Sequence, residues 1–293
     1  MHAGNGALEQ LIVAPAERRP AVLRIIDAAR DRLDLSLFRC DDEPVVDAIG
    51  RAAGRGVRVR ALVTGRAKGS KAQLKQLRKA LARSGADVRT YGDAVVRYHA
   101  KYLVADDGPA LVASLNFTQK CFGPTCDFML VSTDPRLVDA LRLVFEADWD
   151  GTGLPPAVSG DDRLIVGPEH ARARLAALLA QATSRIRLID PKVSDPAMLA
   201  LLKARAAQGV HVDLRAASGL GALAPHGKLL LIDDRAAVVG SMSLSTLSLE
   251  FRRELAVLVV DRASLDVLDR FWASLPPPEP AGTPAAGSVE PAW

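Results

Sequence analysis

Two histidines, each followed two residues later by a lysine, stand at 99/101 and 226/228 in this 293-residue chain. On an extended strand a spacing of two puts both side chains on one face. His99 and Lys101 open the run HAKYLVADD; His226 and Lys228 open HGKLLLIDD, with Asp106 and Asp233 seven residues past each histidine. Further along, Ser114 matches Ser241, Asn116 matches Ser243, and Asp127 matches Glu254, all at an offset of 127. A duplicated fold needs only its apolar positions preserved. Two imidazoles, two ammonium groups and two carboxylates kept in register are expensive to bury unless they meet.

Brought together in one cleft, these groups suit cleavage of a phosphodiester. One imidazole attacks phosphorus and becomes a phosphohistidine. The other, protonated, donates to the departing oxygen and then deprotonates water or an alcohol. Residue types alone leave open which imidazole does which. Lys101 and Lys228 would offset the phosphate charge and the charge added in the transition state. Ser114, Asn116 and Ser241 can donate to the non-bridging oxygens, and Ser243 offers a hydroxyl where an amide stands in the first copy. Asp127 and Glu254 can each accept an imidazole Nδ1–H, fixing its tautomer. The odd offset of Asp106 and Asp233 sets them on the opposite parity from the histidine and lysine, so they read as turn-stabilising carboxylates.

The elements that must position these residues are also written twice. LIVAP at 11–15 returns as LIVGP at 164–168, and RGVRV at 55–59 returns as QGVHV at 208–212, an offset of 153. Between them each half reads as helix, short apolar strand, an acidic-Pro step, a second helix stopped by glycine, and a strand. The offset then falls to 127 because the first half carries about 26 more residues before its histidine. Strands alternating with helices predict α/β layers and a largely parallel sheet. The expected division is a first repeat over 1–150, a Gly/Pro/Ser linker over 151–162, a second repeat over 163–275, and a disordered Pro/Ala-rich tail over 276–293.

His-x-Lys-x4-Asp followed by Gly-Ser-x-Asn resembles the signature of the phospholipase D superfamily. It stands here as His99-Lys101-Asp106 with Ala113-Ser114-Leu115-Asn116, and as His226-Lys228-Asp233 with Gly240-Ser241-Met242-Ser243. The resemblance implies an α/β fold of two pseudo-twofold-related α/β/α sandwich halves sharing one active site complete within the monomer. It implies a phosphohistidine route with no metal and no cofactor, with His99 as nucleophile and His226 as acid/base. Ala113 replaces the usual glycine and Ser243 the usual asparagine; the second change removes an amide donor from the phosphate pocket.

Three classes of function remain open: phospholipase D-type hydrolysis or phosphatidyl transfer on phospholipids, cleavage of DNA or RNA, and a pseudo-enzyme that binds phosphodiesters or membranes without turnover. A net charge of +4 favours an anionic partner without naming one. The inserted stretch 66–97 has nine Lys or Arg against two Asp, with Leu74, Leu77 and Leu81 at helical spacing. Such a helix can rest on anionic lipid, track a nucleic-acid backbone, or simply be a solvated face over a leucine stripe. The uncharged run AASGLGALAP at 216–225 is expected at the cleft mouth, and aromatic residues total only 4%; stacking aromatics typify single-strand channels. The balance is toward lipid, with peripheral contact to an anionic membrane as a partner. Cys40, Cys121 and Cys126 form no disulfide or zinc spacing, and His2, His170 and His211 have no ligand partners in sequence. With no secretory pattern and no apolar run of membrane length, the expected location is cytoplasmic.

Overall fold

The structure is a computed structural model that describes residues 8–66, 71–160, 162–216 and 218–277. The first half runs β1 (Glu9–Ile12), α1 (Pro15–Ala28), β2 (Arg32–Leu37), α2 (Glu43–Gly54), β3 (Arg58–Val63), α3 (Lys71–Arg83) and β4 (Asp87–Thr90). It continues through β5 (Arg97–Tyr98), β6 (Tyr102–Ala105), β7 (Ala110–Ala113), α4 (Gln119–Phe122), β8 (Thr125–Cys126), β9 (Met129–Ser132) and α5 (Pro135–Asp150). After a 3-10 turn, the second half contains β10 (Leu164–Gly167), α6 (Ala171–Ala180), β11 (Arg185–Ile189), α7 (Pro196–Ala207) and β12 (His211–Arg215). It ends with β13 (Ala224–Pro225), β14 (Leu229–Ile232), β15 (Ala236–Gly240), α8 (Thr246–Phe251), β16 (Arg252–Val259) and α9 (Arg262–Ser274). Several helices start as their sequences dictate: Asp134, Asp195 and Asp261 each cap the first turn by accepting a backbone N–H, and Pro follows the first two at N1. The tail expected to be disordered lies, from residue 278 onward, outside the described residues.

The two sheets share one strand order. In the first it is β1-β9-β7-β6-β2-β3-β4, and in the second β10-β16-β15-β14-β11-β12. Strand β4, within the insertion, extends the first sheet by one edge. The expectation of a largely parallel sheet is corrected by the pairing. Only β2–β3, β3–β4 and β11–β12 are parallel along these paths, and the other neighbours are antiparallel. The reason is local. Short turns at Asp106–Pro109 and Asp233–Arg235 join β6 to β7 and β14 to β15, and a turn that short allows only an antiparallel hairpin.

Alternation along the strands sorts the apolar residues into three cores. Tyr102, Val104, Leu229 and Leu231 face a central core between the sheets, shared with Phe145 and Trp149 of α5 and with Leu268 and Trp272 of α9. Leu103 and Ala105 face the outer core under α1 and α2. Leu230 and Ile232 face the corresponding core under α6 and α7. The central core therefore joins the halves face to face.

Asp106 and Asp233 sit at the far end of the motif strands from the histidines. Both are in the left-handed region, at φ 46° and 50°. The Asp106 carboxylate accepts the N–H groups of Arg30, Asp31 and Arg32. That of Asp233 accepts those of Thr183, Ser184 and Arg185, plus two hydroxyls. These bonds outweigh burial and hold the Asp233 carboxyl well below its ordinary 3.8. Its stabilisation is thus present above that value and is lost as pH falls below it. Replacing Asp233 with alanine leaves three amides unpaired and strains the backbone, and should lower unfolding stability by about 3 kcal/mol in denaturant titration. A change under about 0.5 kcal/mol, the range of ordinary surface substitutions, would contradict this role.

Candidate active site

Each histidine is led in by a two-residue strand that pairs in parallel with the other half. Arg97 and Tyr98 of β5 pair with Arg252 and Arg253, and the His99 amide donates to the Arg253 carbonyl at 3.0 Å. Symmetrically, Ala224 and Pro225 of β13 pair with Thr125 and Cys126, and the Gly227 amide donates to the Cys126 carbonyl at 2.6 Å. Gly227 must lack a side chain, because a Cβ there would overlap that carbonyl oxygen and the Asp127 Cα. Ala100 occupies the same place in the first motif.

This exchange hands each imidazole to a carboxylate of the opposite half. His99 Nδ1 lies 2.9 Å from Glu254, and His226 Nδ1 lies 2.9 and 3.1 Å from the two oxygens of Asp127. Both carboxylates are fully buried, whereas the side chains of His99 and His226 are 14% and 30% exposed. A carboxylate only accepts, so Nδ1 carries the proton in each ring and Nε2 is left for chemistry. Lys101 and Lys228 each donate to the carbonyl of the histidine two residues back. The charges of Glu254, Lys228 and Asp127 all act on Lys101, so the two motifs share one electrostatic environment.

Burial pushes the His99 imidazole down to about 3, against the raising effect of Glu254 and with the Lys101 cation adding to the fall. Its ring is neutral at pH 7. Burial raises the Glu254 carboxyl, but the charge and hydrogen bond of His99 and the charge of Lys101 outweigh it and keep Glu254 ionised. Burial likewise raises Asp127, and His226, Ser114 and Thr125 bring it below the usual carboxylate range. Burial lowers the Lys101 ammonium to about 7; Glu254 opposes this, while Lys228 and Arg252 reinforce it. If that ammonium binds the phosphate, kcat/KM should fall as pH rises past about 7 yet hold on the acid side, where His99 stays neutral. A pH–rate profile flat to pH 9 would contradict that assignment.

The hydroxyls expected at the phosphate are engaged inward. Ser114 donates to Asp127 at 2.6 Å and accepts the Phe128 amide. Ser241 sits between the amide and carbonyl of Leu255. Ser243 donates to Asp190, which also accepts the amides of Leu244 and Lys192. All three hydroxyls are thus bonded to buried groups of the protein. Asn116 differs: its Oδ1 is buried without a hydrogen-bond partner.

Several neighbours are not legible from the motif. The Phe38 ring lies 4.4 Å from His99 and 4.9 Å from Lys101 Nζ. Ser248 donates to Glu254 at 3.0 Å, and Arg252 lies 3.8 Å from the same carboxylate. The signal for Phe38 was its place just past β2, where open α/β sheets present ligand-binding loops. Contrary to the sequence expectation of no metal-ligand grouping, Cys121, Asp127 and His226 bring ligand atoms within 4.8 Å of one another. Asp127 and His226 are already bonded to each other, and the buried Arg18 guanidinium donates to the Asp127 carbonyl. A cation so close fits a proton-holding pair better than a metal nest.

Exposed apolar residues occur on the segments that flank the two histidines and their carboxylates in sequence. Val95 is exposed, and β5–β16 pairing brings its segment against exposed Phe251, with exposed Leu247 one turn earlier on α8. In the second half, Gly221, Ala222, Ala224 and Pro225 are exposed just before His226. On α3 the leucine stripe is buried, and Lys71, Lys75, Arg78, Lys79 and Arg83 are exposed. No described helix is long and apolar enough to cross a membrane.

Residues 22–149 match the family model described as "Cardiolipin synthase, PLD-like domain". No curated protein matches the chain. Among solved structures, polyphosphate kinase from Porphyromonas gingivalis aligns with a TM-score of 0.73 at 16% identity, over 90% of this chain and 46% of that one. The chain thus spans less than half of that kinase. Phosphatidylserine synthase from Haemophilus influenzae Rd KW20 aligns with a TM-score of 0.72 at 13% identity, over 93% of this chain and 87% of that one. At such identities the likeness establishes the fold, and it covers both halves.

Proposed function

We propose that this chain, which carries a phospholipase D-like domain and the phospholipase D-like fold across both halves, is a phosphodiesterase working through a phosphohistidine, with phospholipids as its substrates. The observation that carries the reading is the exchange of carboxylates, Glu254 to His99 and Asp127 to His226, which presents two oriented imidazoles from one polypeptide. In the first step His99 Nε2 forms a bond to phosphorus as the bond to the leaving oxygen breaks, and protonated His226 gives that oxygen its proton. In the second, His226 takes a proton from water or an alcohol, whose oxygen displaces His99. His99 suits the nucleophile's role because its ring is neutral and Glu254 stabilises the charge it gains on attack. Lys101 and Lys228 supply charge compensation from the protein itself, and the Asn116 amide is the remaining donor for a non-bridging oxygen.

The exposed apolar residues Val95, Leu247 and Phe251, with the uncharged 221–225 segment before His226, support an amphiphilic substrate over a nucleic-acid strand, which favours basic grooves with stacking aromatics. A second reading, nucleic-acid cleavage, draws on the solvated basic face of α3. The test is release of headgroup from phosphatidylglycerol or phosphatidylcholine vesicles in excess EDTA, run beside single-stranded and duplex DNA. Lipid turnover that survives the chelator is the expected result. DNA cleavage without lipid turnover would move the substrate to nucleic acid. Loss of lipid turnover on chelation would overturn charge compensation by the lysines alone.

A further inference from the structure

Arg18 of α1 lies outside the segment matched by the family model, has no counterpart in the second half, where Ala171 stands 153 residues on, and is completely buried. Its guanidinium donates to the carbonyls of Cys121, Gly123, Thr125 and Asp127, to the Thr125 hydroxyl, and to the Val13 carbonyl, at 2.8–3.2 Å. One planar fork thus grips almost every second carbonyl of the segment 121–127. That segment has little structure of its own: a four-residue helix, Gly123, Pro124 and a two-residue strand. Yet it delivers Asp127 to His226 and pairs with the segment before His226.

The opposite dyad is built differently. Glu254 lies within the eight-residue strand β16, whose ladder with β10 and β15 fixes it, and Ser248 of α8 donates to its second oxygen. On the Asp127 side the arginine does what a long strand does on the other. These acceptors of Arg18 are all neutral oxygens; burial works against its cation, and the Asp127 charge is the leading one that favours it. The attraction is mutual, so Arg18 also favours the ionised carboxylate that holds His226.

We infer that Arg18 is a positioning residue for the His226–Asp127 dyad, acting through the 121–127 segment to hold Asp127 against the imidazole. The inference rests on the proposed reaction for its kinetic consequence but not for its structural one. Only a guanidinium spans these acceptors. Lysine keeps the charge but offers three donors from one point, and methionine keeps neither charge nor fork.

The experiment compares wild type, Arg18→Lys, Arg18→Met, Asp127→Asn and the Arg18→Met/Asp127→Asn double variant, with bis(p-nitrophenyl) phosphate as probe and imidazole 15N–1H spectra alongside. Arg18→Met should lower kcat by about 100-fold, the scale of a reacting group displaced by about 1 Å, with Arg18→Lys intermediate and KM little changed. On the Asp127→Asn background the same substitution should cost almost nothing further. The His226 Nδ1–H signal should be lost or shifted in Arg18→Met while that of His99 persists. A full additional loss on the Asp127→Asn background, or an unchanged His226 signal in folded Arg18→Met or Arg18→Lys, would overturn the role. If the chain turns over no phosphodiester, the imidazole spectra still decide it. If Arg18→Met does not fold, Arg18→Lys carries the comparison.

Discussion

Replacing His99 with alanine is expected to lower phosphodiester turnover by about 10⁴-fold or more, the scale seen when a covalent nucleophile is removed. The ring is the nucleophile proposed for the first step, so no neighbour can restore the bond to phosphorus. Lys101, whose Nζ lies 3.2 Å from His99 Nδ1, is committed to the His99 carbonyl. The alanine variant also deprives Glu254 of its main partner and leaves a buried carboxylate with Ser248 and Arg252. His99→Gln therefore belongs beside it, because the amide can still donate to Glu254. Both variants should lose turnover alike, and the melting temperature of the glutamine variant should stay closer to wild type. Turnover within tenfold of wild type in folded His99→Gln would remove His99 from the reaction.

Glu254→Gln should lower kcat by about 10³-fold while the fold is retained, within the range known for uncharged replacements of a carboxylate that orients an imidazole. The glutamine oxygen can still accept Nδ1–H, so the ring keeps its place. What is lost is the negative charge that stabilises the ring once it has bonded phosphorus. The expected signature is a fall in kcat with KM little changed, and the substrate affinity of the variant checks this directly. Because Glu254 is supplied by the second half to a histidine of the first, the same result would tie the halves together functionally. An unchanged kcat would show that the His99–Glu254 contact has no catalytic role.

Much of this arrangement was legible in the sequence because duplication exposes which polar residues hold register. The offset of 127 that aligned His99 with His226 also aligned Ser114 with Ser241 and Asp127 with Glu254. The structure puts each pair in matching places. The strand order is the same in both sheets for the same reason. The direction of the strands was not legible from alternation of helix and strand. It followed from two short turns, DDGP and DDR, whose lengths decide antiparallel pairing before any tertiary contact forms. The serines could not be placed because a hydroxyl near a phosphate and one behind a carboxylate look alike in a motif. The motif alone suggests a phosphate donor at Ser114, whereas its hydroxyl donates to Asp127. Ser243, noted as a departure from asparagine, is matched by Asp190, where the first half has Leu37. Arg18 escaped because an arginine in an amphipathic helix reads as surface until the segment that it binds, about 105 residues away, is in view.

The proposal that both imidazoles work on one phosphorus atom, with His99 as the one that bonds it, is tested most directly by trapping the intermediate. In His226→Ala incubated with bis(p-nitrophenyl) phosphate, the good leaving group departs without an acid, but no base remains to activate water. A covalent p-nitrophenyl phosphoryl adduct should accumulate, and peptide mass spectrometry should place it on His99. In His99→Ala no histidine adduct should form. An adduct on His226 in that second variant, or none on His99 in the first although p-nitrophenol is released, would contradict the assignment.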